Sequence, residues 1–323
     1  MLSGPVLASA SVALLALLPS AAAGTGSGTA ATPPRTAAPP PPPPLYRVVG
    51  CVSHGRVAYR HGPARREVAI GFDDGPSFDT PQFVSMLERS RAHATFFLIG
   101  RQLEPSDRAL LMRELKDGDV LGDHTFSHPE LTLLRNGRQQ LARTLVAIRA
   151  LTGYTPCVFR PPYGAYDQPV IEQARALGLA TVLWNVDPSD WALPGAAAIE
   201  QRVLAQVQPG SIVISHDGGG PRWQTLAAYP KIIAALRARG YRIVTIPQLL
   251  GFRPVYARCR QACDGIGVRR SAVPREAIVL PIKGAPPPPR PPHGPTAGVS
   301  PAAPAPRHSA NHSSRSRPRR QPA

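Results

Sequence analysis

A distorted, incomplete (β/α)7 barrel, an α/β fold, is the class this 323-residue sequence predicts, and three observations lead to it. Short β-branched runs alternate with longer amphipathic stretches seven times between Glu67 and Phe252, which implies a parallel sheet with crossover helices. That span is too short for the eight units of a full barrel. Polar groups of catalytic type recur where the strand candidates end, the edge at which α/β folds assemble their sites. A doubly wound open sheet is the alternative architecture.

The first unit opens on "VAIGF" (68–72), whose apolar run ends directly on Asp73 and Asp74. The following "TPQFVSMLERSR" has helical periodicity, with Asp79 as N-cap and Pro81 in the first turn. "ATFFLI" (94–99) is the second strand, and "DVLGDH" (119–124) is the third, ending on His124 with His128 beyond it. "GRQQLARTLVAIRALTG" reads as a helix closing on Gly153. "CVFR" (157–160) delivers Arg160 and the turn "PPYG", and "TVLWNV" (181–186) leads into Asp187 to Trp191. "SIVISH" (211–216) ends on His216, followed by Asp217, and "RIVTI" (242–246) closes the series. This periodic placement of acids, histidines and an arginine is stronger evidence for a site than any one motif.

The flanks differ in composition. Residues 1–23 hold an apolar stretch followed by Ala21, Ala22 and Ala23, an A-x-A cleavage pattern, and read as a secretory signal peptide, with retention as an N-terminal anchor the alternative. Residues 24–45 form a proline-rich linker, 46–66 a lead-in to the catalytic domain (67–252), 253–283 a cysteine-containing extension and 284–323 a disordered basic tail. The net charge of +17 belongs to these flanks, because residues 67–252 carry 18 basic and 18 acidic side chains. Such a tail suits an anionic cell-wall polymer; it lacks the aromatics that would stack on bases, so no nucleic-acid partner is expected. A secreted, wall-associated monomer is expected. Cys51, Cys157, Cys259 and Cys263 are compatible with disulfides in an oxidising compartment, and one bridge is expected to tie Cys51 to the Cys259/Cys263 pair.

"HTFSH" spaces two imidazoles so that both can face one ion from a helical turn or a tight loop. Two neutral histidines and a carboxylate leave coordination positions open for water and substrate, and Asp73 and Asp74 are the nearest acids. Adjacent residues leaving a strand need not point the same way, so one can ligate the ion while the other faces a bound water. Taken singly, each group has an ordinary reading: Arg160 a surface ion pair, "PPYG" a rigid turn, "DPSDW" a cap with a half-buried tryptophan, His216 a core histidine. Their joint order favours a site.

The motifs "FDDGP", "HTFSH", "RPPYG", "DPSDW" and "ISH", in that order across residues 71–216, resemble the polysaccharide deacetylase family, with its NodB-homology domain, also called carbohydrate esterase family 4. The resemblance covers roughly residues 67–252. It implies a distorted barrel and one divalent ion, zinc or cobalt, held by Asp74, His124 and His128. It also implies Asp73 as general base oriented by Arg160, His216 as general acid held and tuned by Asp190, and Trp191 along the substrate groove. Hydrolysis of an acetyl group further needs an oxyanion donor, assigned to the backbone N–H of Tyr163, and a surface for the methyl group, assigned to Ile214. Gly71 stands where threonine is common, Ile214 where leucine is common, and Asp123, where asparagine is frequent, is expected to add a negative charge beside His124. The expected substrate is an acetylated polysaccharide: peptidoglycan amino sugars first, chitin oligomers or acetylxylan as alternatives. A non-catalytic cell-wall-binding protein is the reading from a different class.

Overall fold

The computed structural model describes residues 45–54, 58–259, 263 and 267–280; the expected signal peptide (1–23), the linker up to residue 44 and the basic tail (284–323) lie outside the described residues. The first strand, β1 (Leu45–Val52), belongs to a small second sheet. The main sheet comprises β2 (Glu67–Gly75), β3 (Thr95–Leu98), β4 (Val120–Asp123), β5 (Val158–Phe159), β6 (Ala180–Thr181), β7 (Ile212–His216) and β8 (Arg242–Val244). All of its pairings are parallel, in the order β6-β5-β4-β3-β2-β7, with β8 also paired to β2. Between β6 and β7 there is no ladder, and the isolated bridges Tyr59↔Val182 and Val186↔Val213 lie on either side of the gap. The barrel is therefore distorted and incomplete at this seam.

Crossovers are made by α1 (Thr80–Ser90), α2 (Arg108–Asp117), α3 (Gly137–Thr152), α4 (Gln168–Arg175), α5 (Ala196–Gln206), α6 (Trp223–Ala238) and the short α7 (Ile246–Leu249). Strand β2 is buried continuously from Val68 to Asp73, as a parallel strand covered on both faces must be. Phe72 meets Phe83 of α1, Phe96 of β3 and Tyr229 of α6 at ring-centroid distances of 5.0, 5.5 and 4.8 Å, an aromatic core directly beneath the strand ends. Helix α3 stops at Gly153, whose φ of 70° gives the left-handed cap expected of glycine there. Pro81 lies in the first turn of α1 as expected, but Asp79 does not cap that helix with its side chain; its Oδ2 instead accepts the backbone N–H of Arg222 at 2.8 Å.

The second sheet adds β9 (Arg253–Arg258), β10 (Val268–Arg269) and β11 (Ile278–Leu280), in the order β10-β1-β9-β11. The two segments flanking the barrel thus pair with each other through β1 and β9. The disulfide expected between them is corrected: Cys51 is bonded to Cys157, and Cys259 to Cys263. The register gives the reason. Cys51 lies opposite Pro254, whereas the Cys259 N–H bonds to the Leu45 carbonyl at the other end of β1, about 20 Å away at strand spacing. Cys157 is within reach because Gly50 bridges to Thr155 just ahead of β5.

Candidate active site

The site is built at the C-terminal ends of β2, β4, β5 and β7 and in the loop after β6. Strand β2 reaches it first. Asp73 is still in register, paired with Phe97 of β3 and His216 of β7, and the ladder to β3 then slips by one residue, leaving Asp74 as a bulge with φ of 72°. The bulge turns Asp74 out of the strand's alternation, so two consecutive carboxylates serve one cleft in different directions.

Asp73 is buried, and its Oδ1 accepts Nη1 of the wholly buried Arg160 at 2.7 Å. The guanidinium lies over Phe97 at 4.2 Å from the ring centroid. A Cβ on Gly71 would stand 2.5 Å from Arg160 Nη1 and 2.8 Å from Nη2, so the glycine on β2 is the seat of this arginine. The structure thus gives a local reason for glycine where the family commonly has threonine.

"HTFSH" is a tight loop, not a helical turn, with Thr125 at φ 68° and His128 at φ 59°. The side-chain oxygen of Gln140, on α3, accepts the Phe126 and Ser127 N–H groups at 3.1 and 2.9 Å and holds the loop in shape. His124 donates through Nδ1 to the Arg160 carbonyl at 2.7 Å, which leaves Nε2 as a bare lone pair. That Nε2 lies 3.5 Å from Asp74 Oδ1, and His128 Nε2 lies 3.2 Å from the same oxygen.

These three groups pass a test for a cation. Asp74 Oδ1 is buried and has no hydrogen-bond donor among the described residues, yet two imidazole nitrogens converge on it, and all three ligand atoms lie within 4.8 Å of one another. Lone pairs facing one another in a buried site call for a positive charge between them, and this donor set suits a divalent ion of the zinc type. Burial alone would raise the Asp74 carboxyl, but the imidazoles of His124, His216 and His128 around it outweigh burial and hold it well below the usual carboxylate range. Burial and the neighbouring His124 push the His128 imidazole down, towards the neutral form that ligates.

On the other wall, burial would lower His216, but Asp190 outweighs it and raises the imidazole overall. Asp190 Oδ1 meets His216 Nδ1 at 2.8 Å, while Oδ2 accepts the His216 N–H at 2.9 Å and the Thr225 hydroxyl at 2.8 Å. Asp190 sits in a short 3-10 turn, Asp190–Ala192, that also presents Trp191 at 60% exposure on the rim. Tyr163 adopts φ 61° in the turn Pro162–Gly164, and its hydroxyl meets His128 Nδ1 at 3.2 Å. Ile214 is buried at the floor of a cleft of about 550 Å³ that Asp73, Asp74, His124, His128, Tyr163 and His216 share. Every residue expected at the site lies in this cleft or directly supports it.

Asp123, next to His124, is fully buried with Oδ2 unpartnered among the described residues, and burial raises its carboxyl well above the usual range, against one N–H from Thr125. Arg222, which the strand-end pattern does not reach, also lines the cleft. Its signal was the run Gly218, Gly219, Gly220 after β7, since a Cβ at Gly218 would overlap the Asp74 carbonyl.

The family model described as "Polysaccharide deacetylase" matches residues 60–182, which contain the three candidate ligands, Asp73 and Arg160. A peptidoglycan-N-acetylglucosamine deacetylase of Bacillus cereus is 38% identical over 192 residues, spanning 58% of this chain and 89% of that protein. A chitooligosaccharide deacetylase of Sinorhizobium fredii is 39% identical over 210 residues, spanning 60% and 96%. Among solved structures, a peptidoglycan N-acetylglucosamine deacetylase in complex with 4-naphthalen-1-yl-N-oxidanyl-benzamide matches with a TM-score of 0.58 at 34% identity, covering 60% of this chain and 92% of that one. With the ordered motifs and the parallel half-barrel that carries them, this places the chain in the polysaccharide deacetylase family of hydrolases.

Proposed function

We propose that this chain is a secreted, metal-dependent N-deacetylase acting on the amino sugars of peptidoglycan. The observation that carries the reading is the pairing of two buried charge couples across one cleft: Asp73 with Arg160 at 2.7 Å, and His216 with Asp190 at 2.8 Å. One couple suits proton acceptance and the other proton donation, which is the division of labour that amide hydrolysis requires.

Asp74, His124 and His128 would hold the divalent ion, zinc or cobalt. When bound there, such an ion supplies Lewis-acid polarisation of the acetyl carbonyl and activation of water at neutral pH. Asp73 accepts the proton of the attacking water, with Arg160 fixing the carboxylate's orientation. The backbone N–H of Tyr163 donates to the developing oxyanion. Ile214 packs against the acetyl methyl, and Trp191 and the Tyr163 ring offer exposed faces to the sugar. His216, whose imidazole Asp190 shifts towards the protonated form, gives its proton to the departing amine nitrogen.

The names of the relatives divide between peptidoglycan and chitooligosaccharides. Peptidoglycan is preferred because the cationic flanks and the signal-like start suit work at an anionic cell wall. The test is acetate release by the full chain, reconstituted with zinc or cobalt, from peptidoglycan, chitopentaose and acetylxylan. Release is expected fastest from peptidoglycan, with Asp73→Asn reducing it about 10²- to 10⁴-fold. Undiminished release by that variant, or release from none of the three, would overturn the mechanism.

A further inference from the structure

We propose that Arg222 is a specificity-determining residue: its guanidinium binds a carboxylate carried by the glycan, the lactyl ether of a muramic residue, beside the acetyl group being hydrolysed. This rests on the peptidoglycan reading above and gives it a molecular cause.

Arg222 is 5% exposed, yet it lines the cleft. Its position is fixed twice over, by Nε donating to the Gly218 carbonyl at 2.6 Å and by its backbone N–H donating to Asp79 Oδ2 at 2.8 Å. Neither Nη has a protein acceptor among the described residues, so on a side chain that is otherwise packed and fixed these two nitrogens are left for a ligand in the cleft. Arg160, the other arginine of the site, is neutralised by Asp73. Asp79 spends its oxygen on the Arg222 backbone rather than on the guanidinium.

The neighbouring acid is Asp74. Gly219 is the spacer between the two: a Cβ there would run into Asp74 Oδ2 and stand 3.3 Å from an Arg222 Nη. No carboxylate among the described residues forms an ion pair with the guanidinium, and a divalent ion would engage Asp74, the acid across Gly219 from it. A fixed, forked cation of this kind suits a planar carboxylate better than a sugar hydroxyl. The surroundings suit a glycan chain. Phe78 and Trp223, 89% and 62% exposed, flank Asp79 and Arg222 in sequence, offering apolar ring faces at the same rim.

Neutral chitooligosaccharides have no group to satisfy this cation, whereas peptidoglycan carries a carboxylate on every muramic residue that is not substituted by peptide. The product acetate is the other carboxylate able to reach it, and the test separates the two. The kcat/KM and KM of the full, metal-loaded chain are measured on peptide-free GlcNAc–MurNAc tetrasaccharide, on the same glycan with its lactyl carboxylates converted to primary amides, and on chitotetraose, for wild type, Arg222→Gln and Arg222→Lys. Binding of both muramic glycans to Asp73→Asn, with and without Arg222→Gln, gives a readout independent of turnover.

Wild type is expected to prefer the carboxylate over the amide glycan by about 10- to 100-fold, mainly in KM, with Arg222→Gln erasing most of that ratio and Arg222→Lys restoring part of it. The Kd values on the Asp73→Asn background should move in parallel. Equal activity of wild type on both muramic glycans overturns this proposal alone. Loss by Arg222→Gln in equal proportion on all three substrates also overturns it, assigning the residue to loop structure or to the reaction itself. Relief of acetate inhibition with no change in preference assigns the guanidinium to the product instead. Activity of wild type on chitotetraose and on neither muramic glycan overturns the peptidoglycan reading together with this proposal.

Discussion

The two aspartates at the end of β2 show how one residue of backbone irregularity can separate two functions. Asp73 remains in the ladder and is claimed by Arg160; Asp74, at the bulge, is turned to His124 and His128. The opposite wall depends on a single carboxylate as well. Asp190 raises the His216 imidazole against the effect of burial, so the imidazolium persists above its ordinary pH range and is lost only as pH rises through the raised value. An acid that must be protonated then gives an activity that holds at lower pH and falls on the alkaline side. Asp190→Asn should move the alkaline limb of kcat/KM to lower pH, because burial then acts unopposed, and should cost about 10²-fold at pH 8. An alkaline limb left in place by the substitution would separate His216 from the proton transfer.

At the scale of elements, Glu114 on α2 and Asp119 at the entry to β4 are buried acids remote from the strand-end cluster. Both Glu114 oxygens lack a partner among the described residues, and burial raises that carboxyl well above its usual range. Burial likewise raises Asp119 from 3.8 to about 8, opposed by the N–H of Ala94. A carboxyl with a raised folded-state pKa binds more protons folded than unfolded, so its contribution is fully present at low pH and is lost as pH rises through the raised value, about 8 for Asp119. Glu114→Met should therefore stabilise the chain by about 1–3 kcal/mol at neutral pH and flatten that decline, as read by denaturant unfolding across pH. Destabilisation at every pH would mean that the carboxyl is satisfied within the fold. Such elements also mark what could be read from sequence. The seven barrel strands were legible because continuous apolar runs and helical periodicity are local signals. The second sheet was not: β1 is only partly buried along most of its length, β9 contains Pro254, and their pairing spans the whole barrel. Asp79 carried the right N-cap chemistry, yet a distant backbone N–H took its oxygen.

Across the whole molecule, the main sheet carries the chemistry while the small sheet closes the chain's two flanks over the barrel. The Cys51–Cys157 disulfide ties β1 to the start of β5, the strand that delivers Arg160, across a sequence separation of 106. Cross-links over loops of that length typically contribute about 2–5 kcal/mol. The candidate site was readable from sequence to the extent that it lies at strand ends: Asp73, Asp74, His124, Arg160 and His216 follow directly from that pattern. Arg222 and Gln140 escaped it, one on a glycine loop past β7 and the other on a helix, because each acts through tertiary contacts. The central claim is that the barrel rim divides its work, with one wall holding an ion and the other donating a proton. The most direct test measures metal content and acetate release together for His124→Ala and His216→Ala, purified as full chains and reconstituted with zinc. The account predicts loss of the ion from His124→Ala, and one ion per chain retained by His216→Ala with turnover reduced about 10²- to 10⁴-fold. Equal loss of metal from both variants, or full turnover by His216→Ala, would contradict it.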